Sequence, residues 1–192
     1  MKLFPATQPL QYVSIDILGP LTRTTRGNTH LVVITDRYSK LTLAVPVSNT
    51  DAYNVAKTFM EHWVFKYGPP QYLLSDRGTQ FLSRFMQRCC AILGIRQSFT
   101  SAYHPQTNGQ VERFNRTLLA ALRSFCGEES RDWDTFVSGI CYGYNSTSHR
   151  AIGLTPFELV LTVPPPQLAL QKAEPVDSSH LSPRELRSRY AR

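Results

Sequence analysis

The chain has 192 residues, 42% of them hydrophobic, with 21 Lys and Arg against 14 Asp and Glu for a net charge of +7. That length and apolar content fit one sizeable buried core with a tail, and the basic balance favours an anionic partner such as nucleic acid without establishing one. No apolar run approaches the roughly 18 residues of a membrane span, and the Met1-to-Ala6 start lacks a secretory stretch, so a soluble, intracellular protein with no membrane partner is expected.

Three strands come first, at residues 12–18, 30–35 and 41–47, with Asp36-Arg37-Tyr38-Ser39-Lys40 turning between the second and third. Thr50-Asp51 can cap a helix whose apolar positions Val55, Phe59, Trp63 and Tyr67 recur every four residues, and Gly68-Pro69-Pro70 stops it. Residues 71–75 read as a fourth strand. Phe81, Phe85, Cys89 and Ile92 predict a second helix ending at Gly94, and residues 95–99 a short fifth strand. A breaker-rich loop over 100–109 precedes a helix carrying Val111, Phe114, Leu118, Leu122 and Phe125 on one face. Trp133, Phe136, Val137, Ile140, Cys141 and Tyr144 mark another helix, and Thr155-Pro156-Phe157-Glu158 opens a short last one with Pro at its first position.

This order implies an α/β fold with a five-stranded mixed sheet flanked by helices. The expected divisions are an N-terminal extension over 1–10, a core over 11–163 and a Pro-rich linker over 164–192. Within that last segment Ser182-Pro183-Arg184-Glu185 is a capping box, so a helix should begin there and stop at Arg192, as in a fragment of a longer chain. Cys89, Cys90, Cys126 and Cys141 form no C-x-x-C pair and no zinc spacing, so buried reduced thiols are expected and no zinc.

Asp16 lies in mid-strand, where Asp is a poor strand former and a buried unpaired charge is costly, which argues for a functional role. Asp76 ends the fourth strand ahead of Arg77-Gly78; alone it reads equally as a turn cap. Glu112 stands in the first turn of its helix, where a lone acid serves as a dipole partner. Asp36 competes with Asp16 as a ligand, but its tight connection favours a turn role. Taken together, Asp16, Asp76 and Glu112 suit hard cations: Mg²⁺ takes one or two carboxylates plus phosphate oxygens, and two such ions can serve an in-line displacement. Asn115 and Arg116 fall at i+3 and i+4 from Glu112, with Arg123 farther along. A carboxylate, an amide and two guanidiniums on one exposed face suit a metal site flanked by phosphate contacts, or simply a solvated face.

The string from His104 to Arg116, HPQTNGQVERFNR, closely resembles the catalytic loop and helix of integrases from gypsy-type LTR retrotransposons. Leu74-to-Phe81 resembles that family's second acidic motif and Ser14-Ile15-Asp16 the first, and the 35 residues between Asp76 and Glu112 match its D,D-35-E signature. Gly153-to-Val160 is similar to the motif that follows the core. The resemblance implies an RNase H-like fold, two Mg²⁺ (or Mn²⁺) ions on Asp16, Asp76 and Glu112, and 3′-end processing followed by strand transfer into target DNA. It implies DNA as partner, homo-oligomeric assembly on DNA, and action in the nucleus. Tyr103, Asn108, Asn115 and Arg116 would fall near the DNA ends. Set against that family, the chain is expected to lack the His-His-Cys-Cys zinc module and the C-terminal DNA-binding module, and Leu161-Thr162-Val163 stands where relatives often carry a Gly and a basic residue. Two other readings stay open: an element-derived protein that binds DNA without cutting it, and a cellular nuclease or transposase on the same fold.

Overall fold

The computed structural model describes residues 6–100, 109–127, 130–150 and 152–161, with side chains from Val111 onward in the third helix region. Tyr103, Asn108, the linker beyond Val163 and the Ser182 capping box lie outside the described residues. The five expected strands are β1 (Tyr12–Leu18), β2 (His30–Asp36), β3 (Thr42–Val47), β4 (Tyr72–Ser75) and β5 (Arg96–Phe99). They form one mixed sheet in the order β3-β2-β1-β4-β5. β1 runs antiparallel to β2, with Asp16 opposite Val33, and parallel to β4, with Ser14 opposite Leu74.

α1 (Ala52–Phe59) starts where expected, the Asp51 carboxylate accepting the Asn54 N–H at 2.8 Å. It then passes through one π-helical turn, Met60–Val64, into α2 (Phe65–Tyr67), which ends at Gly68 with φ +86°. The sequence spacing explains the turn. Apolar residues recurring every four positions drift off a 3.6-residue helix, and a wider turn takes up the drift. Val55, Phe59 and Trp63 all end at 2% exposure or less.

The single helix expected over 81–92 is two: α3 (Thr79–Leu82) and α4 (Arg84–Ile92). Ser83 leaves helical geometry at ψ 147° and its hydroxyl accepts the Met86 N–H at 3.1 Å. The break shifts the buried register, so Phe81, Met86 and Cys90 face the core while Phe85 and Ile92 are exposed. α5 (Gly109–Cys126) buries Val111, Phe114, Leu118 and Leu122, but Phe125 stays outside and stacks on Phe136. A 3₁₀ turn (Trp133–Thr135) leads into α6 (Val137–Asn145), and α7 (Pro156–Leu161) opens on a reciprocal cap between Thr155 and Glu158.

Strand alternation divides the core in two. Val13, Ile15, Val32 and Ile34 face α1 and α4, whereas Leu31, Val33 and Ala44 face α5 and α6. Ser14 and Asp16 therefore belong to the α5 face of β1. The four cysteines are free thiols, and burial pushes those of Cys90 and Cys141 up to about 11. Among the described residues no helix is long and apolar enough to cross a membrane.

Candidate metal and nucleic-acid site

Asp16 is partly buried on β1, and its carboxylate is held from two directions. The Asn115 amide donates to its Oδ2 at 3.0 Å, and the Ile17 backbone N–H bonds to it as well. Burial pushes the Asp16 carboxyl above the ordinary range; those two hydrogen bonds pull the other way, and the charges of Asp76 and Glu112 push it up further. The three acids thus share one electrostatic neighbourhood, although β1, the end of β4 and the first turn of α5 lie far apart in sequence.

Asp76 is exposed just past β4, and its Oδ1 accepts the Gly78 N–H at 2.8 Å. A Cβ at Gly78 would stand 3.0 Å from Asp76 Oδ1 and would meet the Gln80 amide, the far end of a flexible side chain that can move aside. Glu112 is exposed on α5. Among the described residues no group of three His, Cys, Asp or Glu side chains stands in ligating array. The chemistry of Asp16, Asp76 and Glu112 still fits Mg²⁺ or Mn²⁺, since all the donors are hard oxygens and Asp16 gains proton affinity from its two acidic neighbours.

Asn115 differs from expectation. It is 9% exposed and turned inward onto Asp16, away from the solvated face assigned to it. The signal was present, because Asn115 sits at i+4 from Val111 and three before Leu118, inside the apolar stripe. A polar residue in a core position needs a partner, and that partner is the acid. Arg116 and Arg123 are exposed and share the Glu112 side of α5 by helical spacing. Arg123 lies eleven residues beyond Glu112, about 16 Å along the axis, and borders a cavity of about 300 Å³ with Leu119, Leu122 and Trp133. That cavity is at the far end of α5 from the acids, which stand on open surface.

Asp36 takes the turn role. It is fully buried, and its Oδ2 accepts the Ser39 N–H at 2.8 Å and hydroxyl at 2.6 Å.

Sheet order and strand directions are those of an integrase catalytic core, an RNase H-like fold. The chain belongs to the integrase core domain family, which matches residues 6–105. Among curated relatives, the retrovirus-related Pol polyprotein from transposon 412 of Drosophila melanogaster is 34% identical over 77% of this chain and 12% of its own length. The Gag-Pol polyprotein of feline leukemia virus is 38% identical over 73% of this chain and 8% of its own length. The chain therefore spans about a tenth of the polyproteins it matches. Among solved structures, the catalytic core domain of BIV integrase superposes with a TM-score of 0.63 at 25% identity, covering 79% of this chain and 94% of that one. The HTLV-2 integrase catalytic core domain, in complex with magnesium, gives 0.65 at 18% identity, covering 80% and 98%.

Proposed function

We propose that this chain is a polynucleotidyl transferase core of a gypsy-type LTR retrotransposon, carrying out metal-dependent 3′-end processing and strand transfer of element DNA. The observation that carries the reading is the convergence of Asp16, Asp76 and Glu112 in one charged neighbourhood on an integrase-core sheet. These three residues would hold two Mg²⁺ or Mn²⁺ ions, which when bound activate the attacking oxygen and neutralise charge on the leaving one.

The remaining work belongs to the chain's own groups. Asn115 fixes Asp16 Oδ2, so the carboxylate presents its other oxygen in a defined direction. The Gly78 N–H does the same for Asp76. Arg116 and Arg123 supply guanidiniums for backbone phosphates along α5, and the net charge of +7 draws DNA to the molecule. Homo-oligomers on DNA and action in the nucleus follow from that substrate.

The test is cleavage and joining of oligonucleotide duplexes. Activity should require Mg²⁺ or Mn²⁺ and vanish in Asp76→Asn with DNA binding retained. Activity without metal, or surviving that substitution, refutes the proposal. Salt-sensitive DNA binding by the wild type with no cleavage in either metal would establish the non-enzymatic reading instead.

A further inference from the structure

We propose that Arg37, Lys40 and Arg113 form a built site for one phosphodiester of the DNA backbone, beside the acids. The proposal deepens the DNA reading above by naming where the nucleic acid is gripped.

The β2–β3 turn is locked in an unusual form. Besides its two bonds to Ser39, Asp36 accepts the Lys40 N–H on its backbone carbonyl at 3.0 Å. Lys40 is thereby held at φ +68°, a left-handed conformation that Gly or Asn adopts readily and other residues adopt at a cost. A lysine kept there points to a use for its charge. Its Nζ donates to the Arg37 carbonyl at 2.7 Å, and the Arg37 N–H is tied to the Tyr12 carbonyl at 2.9 Å, at the start of β1.

The cations are crowded. Burial lowers the proton affinity of Lys40, and the charges of Arg37 and Arg113 lower it further, with Asp36 offsetting in part. Arg37 Nη1 is buried without a hydrogen-bond partner, a charged donor withheld from water and given nothing in return. Nearby, His149 feels the charge of Lys40, and its Nε2 is likewise buried and unpartnered. Among the described residues neither Arg37 nor Arg113 stands in an ion pair with a carboxylate. Two elements thus bring like charges and an orphaned guanidinium donor together. An anion on the open side of these groups relieves that crowding of charge, and a phosphate matches a guanidinium fork.

The position selects a polymer. Tyr12, to which Arg37 is tied, lies four residues before Asp16 on the same strand, about 13 Å at strand rise. Arg113 is next to Glu112 on α5. DNA carries a phosphate every 3.4 Å of axis on each strand, so a duplex crossing the acids would reach this site within about four steps of the reacting bond.

The test is equilibrium binding of a labelled duplex to the full chain in a salt series without metal. The variants are Lys40→Asn, which tolerates the left-handed φ, and Arg113→Gln, on an exposed helix position. Each should weaken binding by about 3–10-fold and lower the slope of log K against log salt by about one. Replacing single phosphates by neutral methylphosphonates should reveal one position, within about four steps of the reacting bond, that weakens the wild type and leaves Lys40→Asn unaffected. Affinity and slope unchanged in both variants overturn the proposal. So does inorganic phosphate protecting wild type but neither variant against heat while duplex binding is identical in all three, which would mark a site for the free anion. Because binding is read without metal, a wild type that grips DNA through these residues and cuts nothing refutes the proposed activity and leaves this site standing.

Discussion

Asp134, in the 3₁₀ turn ahead of α6, is buried against the β1–β2 connection, where its Oδ2 accepts from the Asn28 amide at 2.7 Å and the Thr24 hydroxyl at 3.1 Å. Arg26 reaches its Oδ1 at 3.2 Å, but that side chain is 62% exposed, so solvent screens much of the ion pair. Burial alone would raise the Asp134 carboxyl; the hydrogen bonds from Asn28 and Thr24, with the charge of Arg26, outweigh it and hold the group below its ordinary value of 3.8. The folded state therefore binds that proton more weakly than the unfolded chain. The stabilisation is complete above 3.8 and is lost as pH falls through the lower folded value. Asp134→Asn should cost about 2–3 kcal/mol at neutral pH, the worth of charged hydrogen bonds in a buried setting. Urea unfolding should show that gap holding down to about pH 5 and narrowing in acid; a gap independent of pH would mean the loss is packing. None of this network was legible in the sequence, because Asp134 meets its partners across separations of 106 to 110 residues. Asp16 was legible for the opposite reason: a charge in the middle of an apolar strand is conspicuous before any partner is known.

At the scale of elements, a buried side chain of α6 ties that helix to the backbone of the sheet edge. Asn145 is 1% exposed; its Oδ1 accepts the Thr42 N–H at 2.9 Å and its Nδ2 donates to the Thr42 carbonyl at 2.8 Å. β3 is an edge strand, so this amide supplies the pairing that a further strand would have given. Asn145→Ala should cost about 2–3 kcal/mol by leaving two buried backbone groups unmet, and Asn145→Asp should be no better, because an oxygen would face the Thr42 carbonyl. Stability equal to wild type in the aspartate variant would show that the carbonyl finds another donor. At the α3–α4 break, Ser83→Ala should cost about 1 kcal/mol, the usual worth of an N-cap, seen as a lower urea midpoint. The five strands were readable because alternation and turn residues act locally. The α3–α4 break and the π turn after α1 were harder. After α1 the apolar repeat of four held while the backbone widened to keep it, whereas at Ser83 the break moved the buried positions to Met86 and Cys90 and left Phe85 and Ile92 outside, which periodicity alone does not record.

Across the whole molecule the proposed metal site would be a product of folding, since Asp16, Asp76 and Glu112 arrive on β1, beyond β4 and on α5. Metal binding should therefore report on folding directly. A cation that binds only the folded state stabilises it by about 2.7 kcal/mol at a hundredfold excess over Kd, or about 5–10 °C in Tm for a domain of this size. Mg²⁺ or Mn²⁺ should raise the wild-type Tm on that scale, and Asp16→Asn, Asp76→Asn and Glu112→Gln should each lose most of the rise. The acids push on one another without a cation, so removing a charge has the opposite effect on the bare protein. Metal-free Asp76→Asn should melt at or above the wild type, the usual relation between an active site and the stability it sacrifices. That pairing separates function from structure. If the carboxylates served as turn caps and dipole partners, the metal-free variants would melt lower and the metal response would survive all three substitutions. Loss of the response together with unchanged or higher metal-free stability is the pattern that only a cation site produces.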